Sequence, residues 1–189
     1  VGEVLYWTGS ATTVSGTAND FPTTGGAYDV TDNGGVDVVV GKVNAGGSSG
    51  YAATFYGTGS TDIGSGIRLV SQTDCDGNES VLLLVFGVVG GSGLPTQNIN
   101  GEAFFNSSYT SGGNSGYDMF FAGFNSSLNT LIYGSYMGGN ADDYLGDTGS
   151  PRGANHLWVN NGSVFLGTTT HSSSLSPTLV SGGFDSSKS

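Results

Sequence analysis

The sequence has few of the residues that most often carry chemistry. Among its 189 residues are one cysteine, two histidines and four Lys or Arg residues. A single cysteine excludes an intrachain disulfide, and an exported protein without disulfides is more typical of bacteria than of animals. The longest apolar run, residues 81–86, is far too short to span a bilayer. Because the chain begins with Val1 and shows no signal peptide, we expect a processed product or a segment of a longer chain.

Positive charge is scarce. Fifteen Asp or Glu residues give a formal net charge of −11. Such a chain repels phosphate backbones and anionic membrane surfaces, so we expect no nucleic-acid partner. We expect no membrane span, because the longest apolar run is too short. The acidic balance suits divalent cations or solubility. Ten Phe, nine Tyr and two Trp can build a core, which separates this chain from a disordered one.

A ten-residue segment of the chain recurs 81 positions later. Residues 35–44 read GVDVVVGKVN and residues 116–125 read GYDMFFAGFN, so that Gly, Asp and Asn keep their places. The glycines at the ends of three apolar segments, Gly9, Gly87 and Gly167, lie 78 and 80 residues apart. A constant period of this kind indicates a repeat protein with a unit of about 80 residues.

Each unit is predicted to contain four strands, beginning near Val4, Val38, Tyr51 and Ile67 in the first unit. The Val run 38–40 indicates burial on both faces, and no segment has an amphipathic helical pattern. The sequence therefore predicts an all-β, β-propeller-like fold of four-stranded antiparallel blades, about two and a half in this chain. The units span approximately 1–62, 63–142 and 143–189, and this alignment equates Asp62 with Asp142. The predicted strand core comprises Val38, Val40, Leu82, Leu84, Phe120, Phe124, Leu157 and Phe165.

Two and a half blades are too few to close a propeller, which needs about four to eight. An open stack leaves an apolar sheet face and unpaired strand edges. We therefore expect this chain to be incomplete as a folding unit. Its partners would be other blades of the same polypeptide or another protein chain.

Several segments resemble a known family. Residues 20–28, DFPTTGGAY, resemble the DFPTTPGAY segment of SBBP repeats, also called seven-bladed β-propeller repeats. Residues 34–44 resemble that family's GGSDAFVAKLN, and residues 53–57 and 135–139 resemble its STYLGG. The resemblance implies a bacterial secreted or cell-surface protein, of a kind often joined to type IX secretion sorting domains or gliding-motility-associated domains. It implies no catalytic residues.

The turn at residues 74–80 carries the candidate metal ligands. Asp74, Asp76 and Asn78 place oxygen side chains at alternate positions around Gly77, a spacing that suits Ca²⁺. The pattern is not an EF-hand, and a solvated hairpin turn is the alternative. A second acidic cluster comprises Asp142, Asp143 and Asp147. No other cofactor is predicted.

Repeated acids and scattered histidines argue against catalysis. Asp37 and Asp118 follow a glycine at the start of buried strands, where each carboxylate is expected to accept backbone N–H bonds from the neighbouring turn. His156 and His171 lack further zinc ligands nearby, and Cys75 has no activating base beside it. No G-x-S-x-G element is present.

Aromatic residues at strand ends and loop rims are the candidate binding residues. Such rings stack on sugars or anchor protein partners, and the alternative is packing between blades. The candidates are Trp7, Tyr28, Tyr117 and Tyr144, with Trp158 in a similar setting.

Three functions fit these observations. The favoured one is a non-catalytic, secreted or cell-surface scaffold for adhesion or for protein or glycan binding. Recognition would reside in the variable connections 10–36, 88–117 and 169–189. The alternatives are a structural accessory docked on a secretion or gliding machinery, and part of a polysaccharide-active enzyme.

Overall fold

The computed structural model describes residues 3–12, 21–46, 50–73, 76–77, 79–99, 104–111, 116–144, 157–160 and 163–176. Within these ranges the regular structure is strand, and every sheet is antiparallel. The predicted all-β class is confirmed. In the same ranges nothing helical has the length and apolarity of a membrane span.

Twelve strands follow one another along the chain. They are β1 (Val4–Thr12), β2 (Val36–Asn44), β3 (Ala52–Tyr56), β4 (Asp62–Thr73), β5 (Glu79–Val89), β6 (Asp118–Asn125), β7 (Leu131–Gly139), β8 (Asp143–Tyr144), β9 (Leu157–Asn160), β10 (Ser163–Leu166), β11 (Thr169–Thr170) and β12 (Leu175–Ser176). A short turn at residues 126–130 joins β6 to β7, as expected for antiparallel neighbours.

The strands form two main sheets and two short ladders. The first sheet has the order β1-β2-β3, and the second has the order β12-β7-β6-β5-β4. Strands β9 and β10 form a hairpin, and β8 pairs with β11. Strand β4, which contains Ile67, is an edge strand of the second sheet, where it pairs with β5, and it is not a fourth strand of the first sheet. The prediction that the Ile67 strand is the fourth strand of the first blade was wrong here, because sequence periodicity identifies a strand without identifying its pairing partner.

Two apolar clusters lie on the two faces of the second sheet. The first fills the space toward the first sheet, and its largest side chains include Tyr56, Leu83, Phe120, Phe124 and Tyr136. The second lies on the opposite face, toward the β9–β10 hairpin, and includes Leu84, Phe86, Met119, Phe121 and Leu157. Alternate residues of β5 and β6 enter opposite clusters, so these central strands are apolar along their whole length.

Most of the predicted strand core is confirmed. Val38, Val40, Leu84, Phe120, Phe124 and Leu157 are at most 7% exposed. The Val run 38–40 is buried on both faces, as its unbroken apolar pattern indicates. Leu82 is only partly buried.

Phe165 is not a core residue. It is 56% exposed and pairs across the β9–β10 hairpin with Trp158, which is 65% exposed. Both rings lie on the face of the hairpin that points away from the second cluster, because their neighbours Leu157 and Leu166 face that cluster. The prediction was wrong because no described part of the chain covers this outer face.

The repeat of the sequence is also a repeat of the structure, with an offset of 81 residues. Strand β2 pairs with β1 as β6 pairs with β5, and the β4–β5 pair Asp62 and Val89 matches the β8–β11 pair Asp143 and Thr170. The residue of the second unit that is structurally equivalent to Asp62 is therefore Asp143. The sequence alignment of Asp62 with Asp142 was wrong by one residue.

The described part of the first long connection packs against the sheets. Thr24 and Ala53 exchange hydrogen bonds, since the Thr24 N–H donates to the Ala53 carbonyl and the Ala53 N–H donates to the Thr24 hydroxyl. The Tyr28 N–H donates to the carbonyl of Leu128, which lies in the turn between β6 and β7. These contacts hold the connection in place and join the first unit to the second.

Candidate functional site

The first candidate site is a pair of buried carboxylates between the two main sheets. Asp37 lies near the start of β2 in the first sheet, and Asp62 is the first residue of β4 in the second. Asp37 is 1% exposed and Asp62 is 0% exposed. The Asp37 Oδ2 atom accepts the N–H of Asn33 at 2.9 Å. Its Oδ1 atom has no hydrogen-bond partner.

Asp62, by contrast, is well supplied with donors. Its Oδ1 atom accepts the Gly90 N–H at 3.0 Å, and its Oδ2 atom accepts the Thr58 N–H. The Thr58 hydroxyl also donates to Oδ2, at 2.9 Å. These bonds fix the turn 57–62 between the two sheets.

The second site repeats this arrangement one unit later. Asp118 begins β6 and Asp143 begins β8, and both are 0% exposed. The Asp118 Oδ2 atom accepts the Thr110 N–H at 2.8 Å, and the Asp143 Oδ2 atom accepts the Gly139 N–H at 2.8 Å. The Oδ1 atoms of both residues lack a hydrogen-bond partner.

A glycine packs against the carboxylates at each site, Gly57 against both Asp37 and Asp62 and Gly138 against Asp118. A Cβ atom at Gly57 would lie 2.2 Å from the Asp37 Oδ1 atom and 2.8 Å from the Asp62 Oδ2 atom. A Cβ atom at Gly138 would lie 2.3 Å from the Asp118 Oδ1 atom. Real Cβ atoms do not approach other atoms so closely, so the carboxylates occupy the space that a side chain would need.

A side-chain hydroxyl donates a hydrogen bond to Asp62 in the first site and to Asp143 in the second, but it comes from a different position of the repeat in each site. In the first site it belongs to Thr58, and position 91 is glycine. In the second site position 139 is glycine, and the Ser172 hydroxyl donates to the Asp143 Oδ2 atom at 3.0 Å. Positions 58 and 91 match positions 139 and 172 under the offset of 81. Each site thus holds one hydroxyl and one glycine.

Burial changes the acidity of three of these acids. Loss of solvent raises the pKa of Asp37 to about 6, and the charge of Asp62 adds to this while the Asn33 N–H opposes it. Loss of solvent likewise raises the pKa of Asp118 to about 6, with a contribution from Asp143. The pKa of Asp62 is raised by burial and lowered in part by its bonds to Thr58 and Gly90.

The backbone role predicted for Asp37 and Asp118 agrees with the hydrogen bonds that these residues accept. The partner of each acid was missed, because the sequence alignment was shifted by one residue at Asp142. The signal was present: matching Gly57 with Gly138 in the segments GTGSTD and GGNADD places Asp62 on Asp143. Asp142 instead accepts a 3.5 Å contact from the Ser111 hydroxyl, and Asp147 lies outside the described residues.

The proposed calcium ligands are described only in part. Asp76 lies in an exposed turn after β4, and Asp74 and Asn78 fall outside the described residues. Across the described ranges no group of three or more His, Cys, Asp or Glu residues could hold a metal ion. The calcium site in this turn therefore stays a prediction. Cys75 and His156 also lie outside the described residues, and the His171 N–H donates to the Asp142 carbonyl.

Three of the four predicted binding aromatics pack against the protein itself. The Trp7 ring lies over Gly41 and contacts Phe21 edge to face, with ring centroids 6.0 Å apart. The Tyr28 ring contacts Phe124 at 5.7 Å, in the first cluster. Tyr117 is half-buried against the second cluster, and Tyr144 lies in β8. The described aromatics with exposed rings include Trp158 and Phe165.

The paired acids are closed to substrates but not chemically inert. Their carboxyl groups are at most 1% exposed, so a substrate has no route to them in this structure. They lie between successive sheets, and three of the four, Asp37, Asp118 and Asp143, differ from ordinary structural acids by an unpartnered oxygen. No family model matches the chain, and neither a curated protein nor a solved structure does.

Proposed function

We propose that the chain is a non-catalytic, propeller-like scaffold of a secreted or cell-surface protein, whose sheets stack on further sheets of the same kind. One observation carries this proposal: the most distinctive polar residues are buried copies of each other, one set per unit. Repeated buried acids serve the architecture of a repeat, whereas an active site needs titratable groups that converge on one accessible point.

The two ends of the stack expose residues that its middle sheet buries. Leu5 in β1 matches Leu83 in β5, since their partners Val43 and Phe124 are 81 residues apart. Leu5 is 62% exposed and Leu83 is 0% exposed, because the first sheet covers Leu83. The first sheet therefore presents an apolar position where another sheet would pack.

The other end shows the same relation. Phe165 matches Leu84, because each lies five residues before the strand residue that pairs with Asp143 or Asp62. Leu84 is 7% exposed and lies in the second cluster, whereas Phe165 is 56% exposed. Trp158 lies beside Phe165 on the same face. The two ends are thus complementary, and the contact that they favour is head to tail.

We expect the 189-residue chain to self-associate through these two ends. Leu5→Ser and Phe165→Ser should each abolish self-association, because each removes one of the two apolar faces. Sedimentation velocity over a concentration series measures the effect. An equimolar mixture of the two variants should form a heterodimer and nothing larger, because one variant keeps the first face and the other keeps the second.

Two results would contradict this stacking. One is a wild-type chain that remains a cooperatively folded monomer at high concentration, and the other is a mixture of the two variants that behaves as two independent monomers. Leu69→Ser is a matched control, since Leu69 is 49% exposed on β4. This control should leave the association of the wild type unchanged.

The ligand class follows from composition. An acidic chain with few basic residues favours glycans or protein surfaces over nucleic acid. Because the face of Trp158 and Phe165 is assigned to stacking, recognition is left to the connections between strands. A glycan array should show binding by the wild type that Trp158→Ser keeps. Chromatography of bound glycans should show no cleavage, and released product would overturn the non-catalytic assignment.

A further inference from the structure

In the described part of the chain, no basic side chain is placed against the buried carboxylate pairs. Buried oxygens without a donor are costly, and a buried carboxylate is more costly still when a second one lies beside it. The unpartnered atoms are Oδ1 of Asp37 in the first pair and Oδ1 of Asp118 and of Asp143 in the second. The Oδ1 atom of the first acid, Asp37 or Asp118, is unpartnered in both copies of the site, which indicates a property of the unit.

The groups that surround each pair are themselves acidic or neutral. The charges that act on Asp37 are those of Asp62 on β4 and of Asp32 in the preceding connection. The strongest charge that acts on Asp118 is that of Asp143 on β8, and Tyr109 and Tyr136 also lie within electrostatic range of Asp118.

The basic side chains of the described ranges are engaged elsewhere. Lys42 donates to the Ser126 carbonyl at 2.6 Å, and Arg68 donates to the carbonyl of Ile67 at 2.8 Å. Neither is placed by these bonds against a carboxylate pair. Within the described ranges no basic side chain therefore supplies a positive charge to the pairs, whereas solvent can supply a proton.

The geometry favours a proton over a metal ion. Calcium takes six to eight oxygen ligands, whereas each pair offers two carboxylates, and Asp62 already accepts the N–H groups of Thr58 and Gly90. The Oδ1 atoms of Asp37 and Asp118 lie against Gly57 and Gly138, which leaves little room for a hydrated cation. One proton needs no additional space.

We propose that Asp37 with Asp62, and Asp118 with Asp143, each bind one proton between their two carboxyl groups. The proton forms an O–H bond on one acid and is donated to a carboxylate oxygen of the other. Asp37 and Asp62 belong to different sheets, and so do Asp118 on β6 and Asp143 on β8. Each proton therefore joins two successive sheets of the stack. Loss of the proton leaves two like charges across the same contact, so the contact weakens.

The direction of the pH dependence follows from linkage. The pKa of Asp37 and of Asp118 is raised to about 6 in the folded chain, from an ordinary value near 3.8. The folded state therefore binds more protons than the unfolded state between these values. The stabilisation is complete below about pH 4, falls as the pH rises to about 6, and changes little above that.

The test is a pH series on the full 189-residue chain. Carbon-13 NMR of the carboxyl groups should show Asp37 and Asp118 titrating well above pH 5. The melting temperature of the wild type should fall between pH 4 and pH 6.5. Asp37→Asn and Asp118→Asn each supply a neutral donor in place of the proton, so each should remove about half of that fall and raise the melting temperature at pH 7.

The control variant is Glu3→Gln, which makes the same chemical change at an exposed residue just before β1 and should keep the full pH dependence. Titration of both buried acids near pH 4 in the wild type would overturn the proposal, and this measurement does not require the variants to fold. A melting temperature at pH 7 that EDTA lowers and Ca²⁺ restores, in the wild type but not in Asp37→Asn or Asp118→Asn, would assign the sites to a metal instead.

Discussion

Gly138→Ala is expected to lower the free energy of unfolding by about 3 kcal/mol, the upper part of the usual range for overpacking a core. The added Cβ atom would lie 2.3 Å from the Asp118 Oδ1 atom, 2.5 Å from its Cγ atom and 2.9 Å from its Cβ atom. The Asp118 side chain has no simple way to move aside, because the Thr110 N–H holds its other oxygen. Gly57→Ala should behave in the same way against Asp37.

Urea denaturation monitored by circular dichroism measures this effect. Gly9→Ala is the matched control, since a Cβ atom at Gly9 meets nothing within 4 Å. The control should be neutral or slightly stabilising, because alanine restricts the unfolded chain more than glycine does. Equal stabilities for Gly138→Ala and Gly9→Ala would show that the pocket has room for a side chain.

Phe120→Ala is expected to cost about 4 kcal/mol, within the range for truncating a buried aromatic residue. Phe120 is 0% exposed at the centre of the second sheet, and its ring lies 5.5 Å from that of Tyr56 in the first sheet. The substitution therefore opens a cavity in the contact between the two sheets.

The same unfolding assay with Phe165→Ala provides the comparison for an exposed phenylalanine. Phe165 is 56% exposed on the last hairpin, so its truncation should cost less than about 1 kcal/mol in the monomer. Similar losses for the two variants would mean that the outer face of the hairpin is covered in solution.

The repeat was predictable from the sequence because backbone geometry requires particular residues. Gly35 has a φ of +79°, and a Cβ atom there would lie 2.2 Å from the Ser60 carbonyl oxygen, so glycine is needed before this strand. Asp37 two residues later accepts a backbone N–H that orders the preceding turn. A Cβ atom at the matching Gly116 would lie 1.7 Å from the Ser111 Oγ atom, so glycine is needed before both strands and the pattern Gly-x-Asp followed by apolar residues marks the same point in both units.

The partners of the repeated elements were less accessible to sequence reasoning. Ile67 lies on a strand that alternation predicts, but alternation does not show that this strand pairs with β5. Burial of Phe165 depends on whether another sheet follows, which the composition of its own strand does not encode. Predicting the carboxylate pairs would have required both the pairing of each strand and the order of the sheets. Asp62 lies beside Asp37 only because β4 belongs to a new sheet that packs on the first one.

The alternation of hydroxyl and glycine between the two sites has a consequence for consensus design. A repeat averaged position by position would place a hydroxyl residue at both 58 and 91, or glycine at both. In the first case the added Cβ atom at Gly91 would lie 2.6 Å from the Ser60 Oγ atom, and in the second the carboxylate would have no side-chain donor. Positions 58 and 91 must therefore be exchanged together, and related sequences should covary at these two positions.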